Sequence, residues 1–106
     1  MNLINWQKEA KTLKGVWQPK EIAFVDDHRV VISRFLGEYE FHKHDSDEFF
    51  LVLSGEIAIE TKDKEFHLQA GEGLLLPKDT FHRSKAKREA IVLMFERKDL
   101  KTFFEK

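Results

Sequence analysis

Residues 37–55 read GEYEFHKHDSDEFFLVLSG, and the fold of the chain turns on them. His42 and His44 stand two residues apart, followed by an acidic turn, Asp45–Ser46–Asp47. Glu48 then opens an apolar run that Ser54–Gly55 closes. A β-strand sends alternate side chains to opposite faces, so the two imidazoles share one face. In the next run Glu48, Phe50 and Val52 share a face, and Phe49, Leu51 and Leu53 share the other. Both faces are apolar, which calls for cover on both. A barrel interior can take one. The other needs a terminal helix or a second copy of the chain, because a bare patch of that kind is unusual on a monomer. A homodimer is therefore expected.

Outward from this stretch, short Val-, Ile- and Phe-rich runs alternate with turn residues. Strands are predicted near Glu21–Val25, Arg29–Leu36, Tyr39–His44, Glu48–Leu53, Glu56–Thr61, Glu65–Gln69, Leu74–Leu76, Phe81–Lys85 and Ala90–Glu96. Many short strands at near-regular spacing make an antiparallel sandwich or barrel. Before them Leu3, Trp6, Ala10 and Leu13 recur at helical spacing, with Gly15 placed as a C-terminal cap and Pro19 barring continuation. After them Leu100, Phe103 and Phe104 suit one or two helical turns packed on the body. The expected fold class is all-β, a barrel over about residues 20–97 of a single domain spanning 1–106, with a short helix before it and a short helical tail after it.

Composition narrows the function classes. The 106 residues are 42% apolar with ten Phe, enough for a packed core without disulfides. Acidic and basic residues nearly cancel, to a formal charge of -1, and no like-charged block forms an arm, so no pull toward nucleic acid is expected. Cysteine is absent, which removes disulfides, thiolate metal sites and thiol nucleophiles. There is no charged-then-apolar leader and no run of membrane-spanning length, so a cytoplasmic protein without membrane association is expected.

His82 comes just past the Pro77–Lys78–Asp79 turn. Taken singly, two alternating histidines read as a solvated strand face, Glu48 beside Asp47 as an exposed acid, and His82 as surface decoration. Together, three imidazoles and one carboxylate make a ligand set for one divalent transition ion, Fe, Mn, Co, Ni, Cu or Zn. Such a set suits Ca or Mg poorly. An octahedral ion on His42, His44, Glu48 and His82 keeps open positions for water or substrate. A tetrahedral zinc ion would be closed by the same four groups.

These residues resemble the two motifs of the cupins. Gly37, His42, His44, Glu48 and Gly55 follow the first motif, and Gly71, Pro77 and His82 the second. The resemblance covers roughly residues 29 to 95. It implies a double-stranded β-helix, or jelly-roll barrel, with the metal inside. Within the family the chain is similar to the minimal single-domain bacterial cupins of the mannose-6-phosphate isomerase-like type. It departs from the pattern in three places. The spacer from Gly37 to His42 is one residue short, Asp79 stands where the family prefers Gly, and Ala86 where it often has Asn. Asp tolerates a left-handed backbone, so the turn is expected to survive.

The remaining histidines read as surface. His67 shares a face with Glu65 and Gln69, and His28 sits in the Asp26–Asp27 turn. Trp6 and Trp17 read as packing residues. Phe50, Val52 and Met94 are candidate walls of a substrate pocket, with simple core packing as the plain alternative. The resemblance implies a metal-dependent oxygenase or isomerase acting on a small molecule, with Glu48 as a ligand or a detachable base. A ligand-binding cupin without turnover, and a barrel that the metal merely pins, are the alternatives.

Overall fold

The computed structural model describes residues 1–105. One short helix, α1 (Trp6–Ala10), precedes strands β1 (Lys20–Val25), β2 (His28–Glu38), β3 (His42–His44), β4 (Glu48–Ser54) and β5 (Glu56–Thr61). They are followed by β6 (Glu65–Gln69), β7 (Gly73–Leu76), β8 (His82–Arg97) and β9 (Thr102–Phe104). All strand pairs are antiparallel, and β8 is the spine. Its first residues pair with β3 and β5, its later ones with β4, and β2 runs beside both parts. β7 adds to β4, β6 to β5, and β1 to β2, which curls one sheet into a barrel.

Strand alternation divides the apolar residues between two cores. Val31, Phe35, Phe50, Val52, Ile57, Ile59 and Val92 point inward and form the main one. Their neighbours Ile32 and Ile91 point outward, where Leu13, Trp6 and Leu53 cover them. The N-terminal segment thus supplies part of the cover that β4's outer face requires. Each fully buried side chain of this size contributes about 1.5–3 kcal/mol. β4 itself shows the expected phase, with Glu48, Phe50 and Val52 buried. Gly55, between β4 and β5, has φ +82, and a Cβ there would meet the Glu89 carbonyl at 2.9 Å and Ala90 Cα at 3.0 Å. Only glycine lets that turn lie against β8. Asp79 takes φ +63, so its turn survives in the left-handed form.

Four boundaries differ from expectation. The tail is not helical, because β9 pairs with β3, Thr102 opposite His44 and Phe104 opposite His42. One or two isolated turns cannot offset helix nucleation, whereas the edge of β3 offers ready partners. The N-terminal helix stops at Ala10, and Gly15 does not cap it. The amides of Thr12 and Leu13 bond back to the Glu9 and Ala10 carbonyls, and the Thr12 hydroxyl donates to Glu9 as well. That tight ending swings Leu13 into the outer core and leaves Leu3 exposed. Expected strand 39–44 shortens to β3. The two expected strands at 81–85 and 90–96 are one, since Lys87–Glu89 continue β8 as an exposed stretch.

Candidate metal centre

Register places the histidines. His42 lies directly opposite His82 between β3 and β8, with ring centroids 4.3 Å apart. His44, two residues on, returns to the same face, 4.9 Å from the His42 ring and 5.6 Å from that of His82. One ring nitrogen from each of the three lies within 4.8 Å of the others. Glu48, at the start of β4, brings Oε1 to 3.4 Å from His44 Nε2 and 3.9 Å from His82 Nε2. Of the four residues singled out in the sequence, the three histidines meet at one place. Glu48 adjoins the histidine trio through His44 and His82.

Hydrogen bonds orient the rings. His42 Nδ1 donates to the Glu40 carbonyl at 2.8 Å and His82 Nδ1 to the Thr80 carbonyl at 2.9 Å. A carbonyl only accepts, so this network assigns the proton of each neutral ring to Nδ1 and leaves Nε2 a lone pair. His44 Nδ1 sits 3.0 Å from the Thr102 hydroxyl on β9. Two buried atoms, Glu48 Oε1 and His82 Nε2, have no hydrogen-bond partner among the described residues. Leaving such atoms unsatisfied costs about 1–3 kcal/mol each. A cation between them would satisfy both, so the residues present fit a divalent ion.

Electrostatics agree with ligation. Burial lowers the pKa of His42 and His44, and pushes that of His82 down to about 3. The rings stay neutral, the form that binds metal. Burial raises Glu48 instead, opposed by Glu96 and Arg29. These three residues form a row across β2, β8 and β4, for Arg29 is opposite Glu96 and Glu96 opposite Glu48. Arg29 donates to Glu96 Oε2 from Nε at 2.9 Å and from Nη2 at 2.5 Å. Even so, burial and the Glu48 carboxyl push Glu96 up to about 8. Arg29 favours ionised Glu96, so the two carboxyls are best treated as a pair that holds one proton well above the usual carboxylate range.

The cluster opens on a cavity of about 280 Å³. Phe50 and Met94 line it, but Val52 does not. One strand step further from the mouth, Val52 is sealed in the main core. The sequence reading missed Arg29, Glu96, Trp17, Tyr39, Thr102 and Phe104, which also line the cavity. Only register shows the first two, because nothing local marks an Arg or Glu as facing inward. The other histidines lie away from the cavity: His67 is exposed beside Glu65, and His28 stacks on Phe95 at 5.1 Å.

A curled antiparallel barrel whose one end gathers three histidines and a carboxylate defines a double-stranded β-helix with a candidate metal site. The chain belongs to the cupins: the Cupin_2 family model, described as Cupin domain, matches residues 37–96, more than half of the chain. YdbB of Bacillus subtilis (strain 168) is 46% identical over 83 residues, spanning 76% of this chain and 74% of its own. The crystal structure of a cupin-2 domain protein from Shewanella frigidimarina superposes with TM-score 0.88 at 32% identity, covering 91% of this chain and 95% of that one. Hydroquinone 1,2-dioxygenase from Sphingomonas sp. TTNP3 superposes with TM-score 0.76 at 15% identity, over 85% and 71% of the two chains, a likeness of fold alone.

Proposed function

We propose that this cupin holds one divalent transition ion through His42, His44, Glu48 and His82, and that the ion serves chemistry on a small molecule in the adjoining cavity. The observation that carries it is the pair of buried, partnerless atoms, Glu48 Oε1 and His82 Nε2, beside two further imidazoles. When bound, the ion supplies Lewis-acid polarisation or redox capacity to a substrate oxygen. The chain's own part is placement. Glu40 and Thr80 carbonyls fix two imidazole tautomers, and Thr102 steadies the third. Arg29 and Glu96 hold the Glu48 carboxyl in register, and Phe50 and Met94 keep the floor of the cavity apolar. An oxygenase or isomerase reaction is consistent with this layout. The sugar-phosphate isomerase likeness has less support, because the cavity's one guanidinium, Arg29, already binds Glu96 and Glu21.

Binding without turnover is favoured by a separate feature. Beyond the four candidate ligands, the ionisable groups at the cavity are Arg29, Glu96 and Tyr39, and the first two are spent on each other. Turnover of metal-loaded protein against a panel of phenolics, keto acids and sugars separates the readings, and ligand-dependent stabilisation without product supports the second. Localisation in the cytoplasm and a homodimer belong to the same proposal. The outer strand β1 exposes Phe24 at 61% and Val25 at 49%, apolar area that a second copy would cover. A monomeric mass at micromolar concentration would remove the dimer. Among the described residues no helix is long and apolar enough to cross a membrane.

Elemental analysis of protein purified without chelator or histidine tag tests the metal itself. About one equivalent of a transition metal is expected, falling to a small fraction in His82→Ala. Protein that stays metal-free after incubation with Fe(II), Mn(II), Co(II), Ni(II), Cu(II) or Zn(II) overturns the reading.

A further inference from the structure

Trp17 has φ +61. A bulky residue rarely adopts this left-handed conformation, and such residues persist only where their surroundings over-determine them. Here the Trp17 amide donates to the Arg34 carbonyl at 2.9 Å, Val16 forms an isolated parallel bridge with Arg34, and Pro19 follows two residues on. The turn sends the indole onto the cavity, 4.6 Å from the Phe35 ring and 5.1 Å from Tyr39. Tyr39, whose amide donates to the Ser84 carbonyl at 2.9 Å, continues the row and stands edge-on to His42 at 5.3 Å. Phe104, on β9, completes it at 6.2 Å from Tyr39 and 5.7 Å from His42. A continuous aromatic wall thus runs from the strained turn to the candidate metal ligands.

We propose, resting on the metal reading above, that the cavity takes a small monocyclic aromatic anion of the benzoate or phenolate kind. Its ring lies against Trp17, Tyr39 and Phe104, and its oxygen is directed toward the histidine cluster.

Size, surface and charge select this class. The cavity, about 280 Å³, is at the small end of ligand sites, which suits one ring with few substituents. Aromatic walls, here with rings tilted 40° and 57° to one another, favour planar π-systems over saturated rings of the same size. A polyhydroxyl ligand would need many polar partners, and the cavity's serines, Ser33 and Ser84, are themselves almost fully buried. A cation could also lie on aromatic faces. But Arg29 answers Glu96, and a divalent ion over Glu48 leaves the cavity with a positive balance, which admits an anion more readily than a cation.

The test is titration calorimetry of the full chain, Zn(II)-loaded and metal-free, with benzoate, cyclohexanecarboxylate and phenyltrimethylammonium. Loaded protein is expected to bind benzoate about tenfold more tightly than cyclohexanecarboxylate. Phe104→Leu is expected to reduce that ratio to about threefold or less, because it weakens benzoate more than cyclohexanecarboxylate. Because Phe104 is 46% exposed, this variant should fold normally, and Trp17→Leu is the stronger companion. Metal removal should weaken both carboxylates together and preserve the ring preference. Equal affinity for the two carboxylates, tighter binding of phenyltrimethylammonium, or no binding of any probe overturns the proposal. A ring preference that survives with affinity indifferent to metal leaves the aromatic wall standing and sinks the metal reading instead.

Discussion

Glu96 sits between a guanidinium and the carboxyl of a candidate ligand, and its position gives the metal-free protein an unusual pH response. Its pKa in the fold is raised to about 8 from the ordinary 4.5, by burial first and by Glu48 second. Its contribution to stability is therefore fully present below pH 4.5 and lost as pH rises through 8. His82 has the opposite sign. Burial lowers it to about 3 from 6.5, so its contribution is present above pH 6.5 and lost as pH falls toward 3. Where these windows overlap, between pH 4.5 and 6.5, the two oppose each other, and above pH 6.5 the carboxyl pair alone changes. In chelator the wild type should lose roughly 2 kcal/mol between pH 6.5 and 8.5, since each pKa unit is worth about 1.4 kcal/mol. Glu96→Gln, which cannot ionise, should flatten that decline. Thermal denaturation at several pH values in this range checks it, and a flat wild-type profile would show that Arg29 keeps the pair ionised.

At the scale of elements, the short strand β9 does what the sequence did not lead one to expect. It seals the edge of β3 and delivers the Thr102 hydroxyl to His44. Leu100, Phe103 and Phe104 fit helical turns and strand alternation equally well, and the edge that decides between them is contributed by residues some sixty positions earlier. The candidate ligands were legible for the contrary reason. His42 and His44 share a strand face whatever the tertiary context, and the turn residues around Glu48 and His82 mark where strands begin. Glu96 and Arg29 carry no such local mark, and only the pairing of β2, β8 and β4 aligns them. Thr102→Val keeps the shape and removes the hydroxyl. Metal affinity should fall by about tenfold or more, the usual cost of losing a partner of a ligating histidine, while melting of the metal-free protein shifts little. Thr102→Ser should restore the affinity. Competition against a chromophoric chelator measures both variants, and an unchanged affinity for Thr102→Val would reduce β9 to a cover for the edge.

The whole barrel is tied together where its candidate ligands meet. β3, β4 and β8 contribute them, and His82 lies forty positions after His42, so an ion bound there links segments that the unfolded chain holds far apart. Binding to the folded state alone adds about 2.7 kcal/mol when free metal is a hundredfold above Kd, which for a domain of this size raises the melting temperature by roughly 10–20 °C. Protons compete with metal for imidazoles, and for exposed histidines that competition begins near pH 6.5. Here burial lowers all three histidines, His82 down to about 3, so proton competition at the rings sets in below the ordinary imidazole range. What proton competition remains near neutrality comes from the Glu48–Glu96 pair, whose proton the ion must displace. The metal-induced rise in melting temperature should therefore shrink only gradually from pH 8 to pH 5.5, with the slope of one proton, instead of collapsing with the slope of three near pH 6.5. Melting curves with and without Zn(II) across that range decide between the two slopes. A steep loss centred on the ordinary imidazole range would mean that the three rings are open to solvent, and the converging, dehydrated site described above would not exist.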